Sequence, residues 1–154
     1  MAEDERSEPV AVVRRMAGAA EAYTSNLRWE PVPPGRELEA IGPHRTVRDI
    51  SPGAGLVLAH RLARRVRHVK QRHEWGGEVW YFGIYETLEE TFDIDATRLL
   101  IATDAGSKWF GRRYAGQGRW EPTRRLDDIW RGLRHEDHLA LSPAEAERIM
   151  NRLG

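Results

Sequence analysis

The sequence predicts an α+β fold, and three observations carry that assignment. Amphipathic segments with helix-start signals lie towards both ends of the chain, an aromatic, β-rich run lies in the middle, and glycine-bearing turns follow that run. The order expected is two N-terminal helices, a three- to four-stranded antiparallel meander and two C-terminal helices. Residues 1–7 read as a disordered acidic tail, and residues 8–154 as a single α+β domain.

The first helix is expected from Ser7, as N-cap with Pro9 in the first turn, to about Asn26. Val10, Val13, Ala17, Ala20 and Leu27 recur mainly at three- and four-residue steps, the spacing of one buried stripe. The run from Trp29 to Gly35 then forces an extended path, because each proline fixes its φ and disfavours helix in the residue before it. Residues 36–50 are ambiguous: Glu37–Ile41 fits a helical turn, and Thr46–Ile50 alternates weakly like a strand. Ser51-Pro52 starts the second helix, which reaches about Arg72. Its expected buried stripe is Leu58, Leu62, Val66 and Val69 with Ala59 and Ala63, opposite Arg61, Arg64, Arg65, His68 and Arg72. Gly76-Gly77 stops it.

Val79–Tyr85 has apolar side chains at both alternations and is expected as a strand covered on both faces. Glu86–Asp95 combines a capping-box spacing (Thr87, Glu90) with weak alternation; short helix is preferred over strand. Arg98–Thr103 and Lys108–Tyr114 form a hairpin through Asp104–Ser107, and Ala115–Gly118 turns into a short strand at Arg119–Glu121. Thr123 caps a helix bearing Leu126, Ile129, Trp130 and Leu133. Ser142-Pro143-Ala144-Glu145 is a capping box that opens the last helix, with Ala146, Ile149, Met150 and Leu153.

Composition bounds the function. At 154 residues the chain can bury roughly 70% of its unfolded surface without metal or disulfide staples. It has no cysteine, which excludes disulfides, thiol catalysis and Cys-ligated zinc. No apolar run approaches the roughly 20 residues needed to span a bilayer, and the acidic N-terminus is unlike a signal peptide. A cytoplasmic protein with no membrane partner is expected. Of the 24 basic residues only Lys70 and Lys108 are lysine, a skew that points to a GC-rich bacterial genome.

The 24 acidic residues balance the 24 basic ones, yet the charges are not mixed evenly. Residues 51–85 carry +4, residues 86–104 carry −5 and residues 105–125 carry +5. Either the acidic block folds beside the basic helix and neutralises it, or the zero total conceals a basic binding face.

The candidate basic surface is Arg61, Arg64, Arg65, His68 and Arg72 on the second helix, with Lys108, Arg112, Arg113 and Arg119 on the strands. The helical set would extend about 17 Å, at about 1.5 Å per residue. Rows of cations suit phosphate contacts, and interleaved aromatics suit base stacking. The candidate aromatic contacts are Trp29, Trp75, Trp109 and Trp120, Trp and Arg being enriched in interface hot spots. His73, Glu74, His135 and His138 are the remaining metal-ligating types, but their spacings do not match HExxH. No metal or other cofactor is expected. No G-x-S-x-G elbow or P-loop is present.

The function expected is that of a non-enzymatic bacterial accessory or regulatory protein, binding an acidic protein partner through an Arg- and Trp-bearing surface. The alternatives are a nucleic-acid-binding protein using helix 52–72 and strands 108–120, and a small enzyme of unmarked class, His/carboxylate metal-dependent.

Overall fold

The computed structural model describes residues 11–33, 49–107 and 110–154. The acidic tail, the ambiguous stretch 36–48, Lys108 and Trp109 lie outside the described residues. The fold is α+β, with two antiparallel sheets and, among the described residues, three helices rather than the four expected. The chain divides into two compact units, Met1–Arg65 and Val66–Gly154.

In the first unit the expected N-terminal helix is replaced by strands. β1 (Val13–Met16), β2 (Ala19–Tyr23) and β3 (Trp29–Pro31) form an antiparallel sheet in the order β1-β2-β3. The hairpin joining β1 to β2 turns at Ala17 (φ 50°) and Gly18 (φ 82°). Positive φ at both central residues is the geometry of a type I′ turn, which matches strand twist. Asn or Asp would have announced it; Ala17 does not, and the apolar steps read as helix. Arg14 pairs with Glu21 at 2.7 Å and lies 4.4 Å from the Trp29 ring centroid, and Tyr23 meets Trp29 edge-on at 5.2 Å.

Helix α1 (Pro52–His73) begins in this unit and continues into the second. Ser51 Oγ accepts the Ala54 N–H at 3.4 Å, as the Ser-Pro start predicts, and Gly76 (φ 66°) and Gly77 (φ 90°) lie beyond its end. In its first-unit part Ala59, His60 and Ala63 are buried. His60 Nδ1 and the Tyr23 hydroxyl share a 3.1 Å hydrogen bond that ties the helix to β2. Burial, followed by the charge of Arg64, holds His60 down to about 4, and burial raises Tyr23 to about 12.

The second unit contains the expected meander and one unforeseen strand. β4 (Val79–Tyr85), β5 (Leu99–Asp104), β6 (Gly111–Gly116), β7 (Arg119–Thr123) and β8 (Asp137–Leu141) form an antiparallel sheet in the order β7-β6-β5-β4-β8. Residues 137–141, for which the sequence predicts no strand, pair with β4, Phe82 opposite Ala140. β4 is thereby central and covered on both faces, as its composition predicts. One face carries Phe82, Ile84, Ile101 and Ala140, packed with Leu126, Ile129 and Trp130 of α2 (Arg125–Trp130). The opposite face carries Tyr81, Gly83, Tyr85, Leu100, Ala102, Leu139 and Leu141, paired across the strands. α3 (Pro143–Leu153) lies against β4, β5 and β6, burying Ala146 and Ile149. α2 ends at Trp130, so Leu133, expected on its apolar face, is instead 69% exposed.

The Gln117-Gly118 turn (φ 53° and 71°) joins β6 to β7 as expected. Residues 86–97 are neither α-helix nor strand but two 3-10 turns, Glu89–Phe92 and Ile94–Ala96. Thr87 Oγ1 accepts the Glu90 N–H, as a capping box requires, while the Glu90 carboxylate accepts from Glu86 N–H rather than from Thr87.

The expected inner stripe of α1 holds only in part: Ala59 and Ala63 are buried and Leu58 and Leu62 half-buried, but its last members are turned out. In the second unit Arg67 (1% exposed) and Gln71 (4%) are buried, whereas Val66 (43%) and Val69 (56%) are exposed. Arg67 Nε donates to the Ala140 carbonyl at 2.8 Å, its Nη2 pairs with Glu145, and its guanidinium lies 5.2 Å from the Trp75 ring centroid. Gln71 Nε2 donates to the Tyr81 carbonyl at 2.9 Å. These polar groups hold the helix against the backbone of β4 and the edge strand β8, something an aliphatic stripe cannot do.

Glu145 also closes the capping box of α3. It accepts the Ser142 N–H at 2.8 Å while Ser142 Oγ accepts the Glu145 N–H at 3.2 Å. Truncating one partner of a buried charged pair strands the other, so Arg67→Ala is expected to cost about 3–5 kcal/mol in denaturant unfolding. A second expectation concerns acid. The His60 value in the fold lies below its unfolded value of about 6.5, so stability is full above pH 6.5 and declines as pH falls towards about 4. The decline attributable to this group is about 3 kcal/mol. Urea unfolding at a series of pH values should show it in the native chain and not in His60→Gln.

Candidate functional site

Helix α1 carries exposed apolar side chains beside exposed cations in each unit. In the first unit it presents Val57, 51% exposed, one turn before the exposed Arg61. In the second unit it presents Val66 and Val69 beside the exposed Arg72. Valines on a helix normally go to the core; here the Arg67–Glu145 and Gln71–Tyr81 contacts occupy the inner side and the valines are displaced. Lys70, Arg72 and His73 in the last turn favour the helix dipole.

The remaining basic candidates do not all share that face. Arg65 is exposed and Arg64 is half-buried. His68, expected among the surface cations, is half-buried, its ring 6.3 Å from Phe82 and 5.6 Å from His138. On the strands, Arg112 stands opposite Ala102 and Arg113 opposite Ile101, on opposite faces of the sheet. Arg112 pairs with Asp104 at 3.6 Å and Arg113 with Glu121 at 2.7 Å. Arg119 is exposed at the β6–β7 turn. The expected continuous basic-aromatic surface on residues 108–120 is therefore split between the faces, with Lys108 and Trp109 outside the described residues.

The aromatic candidates mostly pack on their own structure. Trp120 meets Tyr114 at 5.2 Å and Tyr81 at 6.4 Å, leaving a half-buried cluster rather than an open stacking platform. Trp29 lies between Tyr23 and Arg14. Trp75 packs against the core around Phe82 and beneath Arg67, closing the end of that core. Phe110 is 84% exposed on the loop entering β6.

The weak metal candidates are not gathered. His73 and His135 are exposed, Glu74 lies 3.7 Å from Lys70, and His138 Nε2 accepts the Trp130 indole N–H at 3.3 Å. Among the described residues no group of three or more metal-ligating side chains is assembled. No helix among them is long and apolar enough to cross a membrane.

The acidic block bears on the first question posed by the charge pattern. Arg98 takes up Glu86 at 3.2 Å and Glu90 at 2.8 Å, and Arg148 of α3 takes up Asp95 at 2.8 Å. These carboxylates are thus balanced by cations off α1. Sequence reading missed Arg67, the key inner residue of α1; the signal available was the four-residue repeat Ala59, Ala63, Arg67, Gln71, in which small residues permit close approach. Comparison with protein-family models, with curated proteins and with solved structures finds no match to this chain.

Proposed function

We propose that the chain is a non-enzymatic accessory protein that binds an acidic protein partner through the outward face of α1. The observation carrying this reading is the pairing of exposed valines with exposed arginines: in the first unit Val57 with Arg61, and in the second Val66 and Val69 with Arg72. Apolar anchors beside cations suit a partner that offers both aliphatic side chains and carboxylates. A phosphate backbone would use the cations and leave the valines in water. The division of Arg112 and Arg113 between two sheet faces, each paired with a carboxylate, further favours protein over nucleic acid.

The test is quantitative binding after identification. A partner captured by the native chain is purified and titrated against the native protein and against Arg61→Glu/Arg72→Glu. The variant is expected to bind at least about tenfold more weakly, about 1.4 kcal/mol, with its circular dichroism unchanged. Equal affinity for the two proteins contradicts the reading. Retention on a nucleic-acid column at about 50 mM salt, released steeply as salt rises, would replace it with the nucleic-acid alternative.

A further inference from the structure

We infer that a second copy of this chain is one acidic partner of α1, docking the corner at residues 86–93 onto the helix face around Val66, Val69 and Arg72. The inference rests on the protein-docking reading above and names an occupant for that face. Its basis is complementarity within the second unit.

The corner is acidic and carries an apolar knob. Glu86, Glu89 and Asp93 are exposed, and Leu88 between them is 38% exposed. Arg98 takes up Glu86 and Glu90, but Glu89 makes no ion pair among the described residues. The helix face is the inverse: two exposed valines, and Arg72, which also makes no ion pair among the described residues. Leu88 against Val66 and Val69, with Glu89 against Arg72, satisfies both surfaces at once.

Within one molecule the two surfaces leave each other uncovered, with Leu88, Val66 and Val69 all exposed. The corner is fastened to the Tyr85 side of the sheet, where the Tyr85 hydroxyl donates to the Ile94 carbonyl at 2.8 Å and Arg148 of α3 holds Asp95. The last turns of α1 are held separately, through His68 near Phe82, Arg67 on Ala140 and Glu145, and Gln71 on Tyr81. Opposite charges held apart on a chain of zero net charge favour association between molecules. Because the two patches differ, the contact is head-to-tail and a dimer leaves one patch of each kind open, so assembly continues beyond the dimer or closes into a ring.

Sedimentation velocity of the full chain over a concentration series, at about 50 mM and about 500 mM salt, tests the inference. The expected result is concentration-dependent association at low salt that is lost at high salt. Two variants then assign the surfaces: Val69→Asp/Arg72→Glu on the helix, and Leu88→Ser/Glu89→Gln on the corner. Each alone is expected to be monomeric with native circular dichroism. Mixed in equal amounts, they are expected to give a heterodimer and nothing larger, since only one intact patch of each kind remains. A native chain that stays monomeric at low salt, or association that both variants leave unchanged, overturns the inference. Neither result touches the docking reading itself, which stands or falls on the separate titration of a different acidic protein against Arg61→Glu/Arg72→Glu.

Discussion

The buried guanidinium of Arg67 is the constraint around which the second unit is arranged. An unpaired cation in that position would carry a desolvation cost of several kcal/mol, so its surroundings have to supply acceptors. They do so from three elements: the Ala140 carbonyl on β8, the Glu145 carboxylate on α3, and the Trp75 ring just past the end of α1. Glu145 is also the capping residue of α3, so one carboxylate fixes where that helix starts and where Arg67 is held. The edge strand β8 gains cover from the same contact. With Arg67 turned inward, helical geometry places Val69, two residues later at about 200°, on the far side. The exposed valines are a consequence of that rotation.

The charge pattern acquires a physical meaning from the same arrangement. A zero total would ordinarily argue against an electrostatically guided binder. Here Arg98 and Arg148 balance carboxylates of the acidic corner, while Arg61 and Arg72 remain on the exterior of α1. The zero is an average over patches and not a uniformly neutral surface. Exposed pairs of this kind add little stability, about 0–1 kcal/mol each, and their larger effect is on which surfaces attract one another.

What could be read from the sequence was whatever local chemistry determines. The Val79–Tyr85 strand, the Gln117-Gly118 turn, the Ser51-Pro52 start and the Ser142–Glu145 capping box all appear where side-chain pattern and cap chemistry place them. The failures have a shared cause, the overriding of local pattern by tertiary pairing. Val13, Ala17 and Ala20 stand at helical steps, yet the Ala17-Gly18 turn converts the segment to a hairpin whose third strand supplies the missing partners. Residues 137–141 carry no local strand signal, because Asp137 and His138 precede only three apolar residues and the pairing with β4 is entirely long-range. On α1 the longer aliphatic stripe was assigned to the inside, when the buried side is chosen by what Arg67 and Gln71 can bond. Of the candidate site, the exposed arginines of α1 were legible; the valines beside them were not, because hydrophobicity alone assigns them to the core.

The side of α1 that faces water is directly measurable, because the chain has no cysteine. Single cysteines at Val69→Cys and Gln71→Cys would each be the only thiol in the chain, and their native-state reaction rates with a soluble thiol reagent report which side faces water. Val69→Cys is expected to react at nearly the rate of the unfolded chain while Gln71→Cys is strongly protected. A protected cysteine at 69 together with a reactive one at 71 would place the aliphatic stripe inside and contradict both the Arg67 clamp and the docking face built on it.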